Sequence, residues 1–511
     1  MAMSAIMRRE AADDRLLGTG TIACLALGAA LLHFFAPINH DEAYLMALAG
    51  RLLDGGQFGK DIMDMNPPHV WWLSALPVWL ARLTGLRLDV VASLYTVAIA
   101  VLSVAAVARL TATTSLGRVP RNLFLVFAAL LVLFIPGYDF GQREHWMVLL
   151  TLPYIVARGC RLNNSRISPT TGAAIGLAAC LGFCIKPYFL LVPVALEAWI
   201  LLRTRRPSLA ISPETIAMAA CGIVYGALTL MYARSYLEIE VPTALLGYWS
   251  YNSSMQEVVR SALNLLAPTA MLLGVGYLTR QQGAPIPALA QALAVAGAAS
   301  CVAALIQAKP WAYHFLPGIV FLDLSAVILL TAENPRVHRL TLRRIAVAIL
   351  VLLAVVPTAF EAVRAFEGTS SRINQLAAIF RSNPGPNRTV FGFITSPRDV
   401  FPAVVAAEIE WAAPFCCEYL IAAAARVEEA PAAHRPQILA AGVNQAEIAV
   451  SAIRTKEPGV IVINTGDDML GFNHQRFDYV AWLNAHTHFA SVFAHYREIN
   501  PIGSFRIFVR K

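Results

Sequence analysis

Apolar runs of membrane-spanning length recur along most of this chain, separated by short polar connections. They fall at 16–36, 89–110, 122–137, 146–157, 170–185, 187–202, 215–232, 261–279, 287–306, 312–331 and 345–361. A helix needs about 20 apolar residues to cross the hydrocarbon core, so the pattern predicts a polytopic α-helical protein with about eleven transmembrane helices. Several runs are shorter than that, and their ends are loosely defined. One more apolar stretch, Val70–Leu83, is left out of the count. It is short and carries Trp71, Trp72, Pro77 and Trp79. Tryptophan favours the membrane interface, so this stretch reads as an interfacial helix on the outer surface, anchored by its tryptophans.

The charges support that choice. With Val70–Leu83 uncounted, Arg118/Arg121, Arg158/Arg161/Arg166, Arg203/Arg205/Arg206, Arg280 and Arg336/Arg339/Arg343/Arg344 share one side with Arg8, Arg9 and Arg15. Basic residues mark the cytoplasmic side, and an odd number of spans sends the C-terminus outside. Counting the stretch would put every later arginine cluster outside. The first run has a basic flank and no clear small-residue cleavage site, so it reads as an uncleaved signal anchor.

After Phe360 the pattern changes. Residues 362–511 hold turns and β-type runs at Thr389–Thr395, Gly459–Asn464, Ser491–Glu498 and Phe505–Arg510, with a helical pattern over Arg476–Phe489. This predicts a soluble α/β domain of about 150 residues, an ordinary domain size. The expected organisation is a membrane domain over 1–361, with an outer first loop over 37–88, and an outer α/β domain over 362–511.

Composition agrees with a membrane chain: 57% of the 511 residues are hydrophobic and 14% charged, against about 25% charged in soluble domains. The net charge of +8 resides in anchoring arginines and does not indicate nucleic acid. Of the eight cysteines, Cys24, Cys160, Cys180, Cys184, Cys221 and Cys301 lie in or beside apolar runs and read as packing residues. Cys416 and Cys417 are adjacent and are not expected to form a simple structural disulfide, because that ring is strained. No metal-type Cys/His spacing occurs.

This topology gathers polar residues outside, each tight against an apolar run. The first loop supplies Asp41-Glu42, Lys60, Asp61, Asp64 and Asn66-Pro67-Pro68-His69. Later connections supply Asp139, Arg143, Glu144 and His145, then Lys186-Pro187-Tyr188, then Gln307 through His314, including Lys309. The set suits transfer from a lipid-linked phosphate. Cations hold the departing phosphate, where charge develops. Here these are Lys60, Arg143, Lys186 and Lys309, with His314. A carboxylate takes the proton from the attacking hydroxyl. Asp41 is assigned that role, with Glu42 or Glu144 orienting the acceptor or Asp41 itself.

Each residue also has a plain structural reading. Asp41-Glu42 could be a solvated acidic loop. Lys186 and Lys309 could snorkel to headgroups, Asp61 or Asp64 could cap the next helix, and Arg143 and Glu144 could pair with each other or with a neighbouring span. His314 could be a satisfied interface histidine. Glu197 and Asp323, inside apolar runs near the cytoplasmic end, read as structural. Asp467-Asp468 reads as a loop.

The run His40-Asp41-Glu42, then Gly55-Gly56-Gln57-Phe58-Gly59-Lys60-Asp61, then Asn66-Pro67-Pro68-His69 resembles the first loop of the GT-C membrane glycosyltransferases. The nearest group is that of protein O-mannosyltransferases and aminoarabinose transferases. The resemblance covers about the first 160 residues best, with layout alone agreeing beyond. It implies a polyprenyl-phosphate sugar donor, a non-cytoplasmic active site and inversion at the anomeric carbon. The family's catalytic first-loop aspartate falls on Asp41, and its second-loop acid on Asp139 or Glu144. The chain departs from the pattern at Asn66, where a basic residue or His is usual, and at His69, where a bulky aliphatic is. Both departures bear on the donor-phosphate contacts.

The expected function is therefore an inverting glycosyltransferase of the bacterial inner membrane. It moves a sugar from a polyprenyl-phosphate donor to a hydroxyl of a lipid, glycan or protein acceptor at the periplasmic face. Membrane lipids are partners, nucleic acid is not, and no cofactor is expected; a divalent cation on Asp41 and Glu42 is possible but not favoured. The competing classes are a glycolipid transporter or flippase, and an inactive scaffold. A transporter would favour charged sites at the bilayer midplane and internal repeats, and the chain shows no repeat.

Overall fold

The computed structural model describes residues 2–112, 114, 116–279, 285–331, 348–353, 356, 359–360, 363, 369–467, 469–473 and 475–511. The chain forms two compact units. One comprises Met1–Ala36, Ser93–Tyr225 and Ser254–Ala362, the other Pro37–Ala92, Gly226–Ser253 and Val363–Lys511.

Each expected span from 16–36 to 312–331 falls on a helix. Among the described residues, six helices are long and apolar enough to cross a membrane. The number is seven if Thr19–Phe35 and His40–Leu53, bent by 76° at their junction, count as one. The chain is a multi-pass membrane protein. The apolar helices Pro120–Phe134 and Pro169–Phe183 are shorter. The expected span at 345–361 and the arginines at 280, 336, 339, 343 and 344 lie wholly or largely outside the described residues.

In the first unit, small residues let helices meet backbone to backbone, as packing within lipid requires. A Cβ at Gly297 would stand 2.6 Å from Leu322, and one at Gly318 2.5 Å from Cys301. These two glycines seat helix Ala288–Ile306 against Leu316–Thr331, and Ser325 Oγ donates to Ala290 O at 2.8 Å across the contact. Gly182 meets Thr151 in the same way, joining Pro169–Phe183 to Arg143–Leu162.

A buried ion network closes one end of this unit. Arg158, 1% exposed, donates through Nε and Nη2 to both oxygens of Glu197 at 2.7 and 2.6 Å. Its Nη1 reaches Ser212 Oγ at 3.0 Å and Glu214 Oε1 at 3.3 Å. Arg161 also pairs with Glu214, and Tyr154 donates to Glu197. Glu197 thus has the structural role expected of it. Arg158→Met should cost about 3–5 kcal/mol, because it strips a cation from the buried Glu214 and the partly buried Glu197. A thermal-unfolding series in detergent checks this; an unchanged midpoint contradicts it.

The second unit is built on a five-stranded sheet of order β2-β1-β3-β5-β4. The strands are β1 (Thr389–Phe393), β2 (Glu410–Trp411), β3 (Val460–Asn464), β4 (Tyr496–Ile502) and β5 (Phe505–Arg510). β2, β1 and β3 run parallel, and β5 and β4 complete the sheet antiparallel. Val460, Ile461, Val462 and Ile463 are buried without alternation, as a central parallel strand covered on both faces requires. β4 is an edge strand blunted by Arg497, Glu498, Pro501 and an irregularity between Ile499 and Ile502. Gly503, at φ +58°, turns it into β5.

Four expectations change here. Ser491 belongs to the short helix Phe489–Phe493, so β4 begins only at Tyr496. The helical pattern over Arg476–Phe489 becomes Tyr479–His486. The C-terminal segment is also not a unit by itself, because the first loop is part of it. Helix His40–Leu53 packs on Val400–Ala407, with the rings of Tyr44 and Phe401 5.9 Å apart. Arg51 Nη1 donates to Ala413 O at 2.8 Å, and Met63 N to Pro414 O at 2.8 Å. The stretch 70–83 is a helix, Pro68–Thr84. Trp79 is half exposed, as an anchor would be, but Trp71 is fully buried and donates to Asn66 O, so it is a core residue.

Candidate functional site

Two polar neighbourhoods stand out, one in each unit. The cationic one is in the first unit. Arg143 and Glu144 open helix Arg143–Leu162, Lys186 precedes the turn Pro187–Leu190, and Lys309 and His314 flank Trp311. Glu144 is fully buried, and Lys186 Nζ donates to its Oε1 at 2.5 Å. His314 Nε2 lies 3.8 Å from the same oxygen. Lys186 also reaches Gln307 Oε1 at 3.4 Å and lies 5.6 Å from the Tyr313 ring centre. Lys309 Nζ lies 5.7 Å from the Trp311 ring centre.

Both lysines are buried, at 8% and 2% exposure. They do not snorkel, and Glu144 pairs with Lys186. Glu144 Oε2 takes no hydrogen bond. Burial, with Lys186 nearby, lowers the Lys309 ammonium to about 8. Arg143, Lys186 and Lys309 all lie close enough to His314 to act on it electrostatically, and cations gathered in a largely desolvated site favour an anionic ligand.

The pH dependence has a definite sign. Lys309 is cationic below about pH 8 and neutral above it. Affinity for a phosphodiester donor, which does not itself titrate in this range, should fall about tenfold between pH 7 and pH 9. Lys309→Arg keeps its charge and should flatten the profile. Equilibrium binding across that range checks both.

Two further candidates are Asp139 and Lys60. Asp139 ends the turn Gly137–Asp139 and accepts from Gln142 Nε2 at 3.2 Å. Lys60 is exposed and belongs to the second unit.

The second unit holds the acids. Asn39 caps helix His40–Leu53, its Oδ1 accepting from Asp41 N at 2.8 Å and Glu42 N at 3.4 Å. Asp41 and Glu42 occupy the first turn, where the helix dipole favours negative charge. Both are buried, at 7% and 6% exposure, so this is not a solvated loop. His40 Nε2 lies 3.6 Å from Asp41 Oδ1. Burial raises Glu42 to about 8, and its Oε1 has no hydrogen-bond partner.

Asp64 does not cap helix Pro68–Thr84, whose cap is Pro67. Its Oδ1 instead accepts from Asn66 N at 2.8 Å and Asn66 Nδ2 at 2.6 Å, fixing the turn before Pro67. The charge of Asp64 also bears on Glu240, which burial and then Asp64 raise to about 8. Glu240 is buried with Oε1 unpartnered, in a π-helical turn, Tyr236–Glu240, a form frequent at functional sites. Cys416 and Cys417 are free thiols with sulfurs 2.9 Å apart. Burial holds both above the ordinary thiol range, with Asp64 and Asp41 adding to it.

Sequence reasoning missed Glu240. The signal was available: the connection between 215–232 and 261–279 is an outer one in the arginine-derived topology, and it contains Glu238-Ile239-Glu240. Among the described residues, no group of three or more His, Cys, Asp or Glu side chains could hold a metal ion.

The described residues combine apolar helices, an acidic first-loop helix and a C-terminal sheet. No protein-family model and no curated protein matches the sequence. Among solved structures, the chain is similar to ArnT from Cupriavidus metallidurans bound to undecaprenyl phosphate. The TM-score is 0.62 at 12% identity, over 96% of this chain and 98% of that one. The apo state of the same protein gives a TM-score of 0.61 at the same identity and coverage. A mycobacterial arabinofuranosyltransferase, AftD, matches over 40% of its own length at 14% identity, covering 96% of this chain, with a TM-score of 0.48. The resemblance drawn from the first loop therefore holds for the fold; at 12% identity it carries no residue roles.

Proposed function

We propose that this protein is an inverting membrane glycosyltransferase that takes a sugar from a polyprenyl-phosphate donor and places it on an acceptor hydroxyl at the periplasmic face. The carrying observation is the grouping of Arg143 with the buried Lys186 and Lys309 around His314 and Glu144. A phosphate is the anion such a set suits, and the ArnT structure of the same fold was solved with undecaprenyl phosphate. Lys186, Lys309 and Arg143 hold the donor phosphate, and Glu144 holds Lys186 in place. Asp41 takes the proton as the acceptor oxygen bonds to the anomeric carbon. The bond from that carbon to the phosphate oxygen breaks, and polyprenyl phosphate departs with its charge met by the lysines. Glu42 and Glu240, held neutral by burial, can donate hydrogen bonds to sugar or acceptor oxygens.

Purified protein supplied with a panel of radiolabelled polyprenyl-phosphate sugars and a cell-envelope acceptor fraction tests the reading. Sugar transfer is expected, and a chelator should leave its rate unchanged; loss of activity on chelation would require a cation in the mechanism. Donor binding without transfer of any sugar would favour a flippase, for which liposome translocation is the assay.

A further inference from the structure

The second unit contains a cleft of about 560 Å³ that none of the chemistry above uses. Arg87, Arg381 and Arg388 line it together with Asn374, Phe380 and Glu408. Arg381 comes from helix Thr369–Ser382, and its Nη2 is fixed on Ala406 O at 3.0 Å. Arg87 is steadied by Asp89, its Nε donating to Oδ1 at 3.2 Å. The side chain of Arg388 makes no hydrogen bond or ion pair with the described residues.

The backbone here is also unusual. Arg388 and Glu408 adopt left-handed φ values of +51° and +53°, a conformation unfavourable for residues with a Cβ and one that tends to cluster at functional positions. Both flank the paired starts of β1 and β2, where Glu410 N donates to Arg388 O at 3.1 Å.

Chain connectivity sets the level of this cleft. Arg87 directly precedes Leu88–Thr111, a helix long and apolar enough to cross the membrane. Just before it, Leu76, Trp79, Leu83 and Leu86 are exposed apolar side chains, of the kind that rest at the interface. An arginine one residue from a span stands at headgroup height. Guanidinium forks match phosphate oxygens in geometry as well as charge. We infer that this cleft binds the phosphate ester of an anionic membrane lipid headgroup. It is a second anion site, built from residues other than those proposed for the donor and independent of the glycosyltransferase reading.

Arginine modification by phenylglyoxal, read peptide by peptide, tests this on the full chain in nanodiscs. Phosphatidic acid added to a phosphatidylcholine disc at about four times its dissociation constant should slow modification of Arg388 and Arg381 about fivefold. Exposed Arg454 and Arg497 should react at unchanged rates. Glu408→Gln removes the opposing carboxylate and should give the same protection at lower lipid content. A separate arm in phosphatidylcholine alone, with inorganic phosphate or glucose 1-phosphate, identifies the source of the ligand. Protection there equal to that by the lipid would keep the phosphate chemistry but make the ligand soluble. No protection in any arm, or equal protection of Arg454 and Arg497, would overturn the inference.

Discussion

Asp41→Asn is expected to lower sugar transfer about 10²–10⁴-fold, the usual contribution of a positioned general base, while donor-lipid binding persists. The substitution keeps the side chain's size. It also leaves intact the backbone hydrogen bond from Asp41 N to Asn39 Oδ1, so the helix start survives and the lost group is the proton acceptor. Single-turnover transfer, measured beside equilibrium binding of the donor, separates the two effects. Full transfer by the variant would remove Asp41 from the chemistry and direct attention to Asp64 and Glu240, two other buried acids of its unit. A matching loss of binding would show that Asp41 acts in assembling the site.

The second large effect belongs to Lys186. Its Nζ meets Glu144 Oε1 at 2.5 Å, and Glu144 has no exposure to solvent. Lys186→Met leaves that carboxylate buried without its cation, which should cost about 3–5 kcal/mol of stability. Donor affinity should fall about 10²-fold, equivalent to about 3 kcal/mol. Adding Glu144→Gln removes the orphaned charge, so the double variant should regain most of the stability but none of the affinity. Thermal unfolding and donor binding on the wild type, both single variants and the double variant form a complete cycle. Recovery of binding in the double variant would mean that Lys186 serves only to neutralise Glu144.

Removing 370–511, most of the C-terminal domain expected from sequence, cannot separate acceptor from donor binding. Helix His40–Leu53, which carries Asp41, packs on Val400–Ala407, and Arg51 hydrogen-bonds within the 411–413 segment. Removing the C-terminal segment would strip Asp41 of its setting. Point substitutions are therefore the sharper tool.

The helices of the membrane unit were legible in the sequence because lipid demands long apolar runs whose backbone bonds close within each run. The parallel strands β1 and β3 were legible because burial on both faces leaves continuous apolar runs. Asp41 and Lys186 stood out because charges beside apolar helix ends are costly unless used. What the sequence could not show was which charges meet. Glu144, open on sequence to Arg143 or to an orienting role, is held by Lys186, 42 residues away. Glu240 became a candidate only once folding set it beside Asp64. Trp71 carries the residue type of an interface anchor yet lies in the core. Burial and pairing depend on contacts far apart in the chain, and local periodicity records only the face a residue turns from water. The runs of the sequence thus determined a multi-pass chain with acids and cations at its helix ends. The tertiary structure decided which of them are desolvated, paired and shifted in charge.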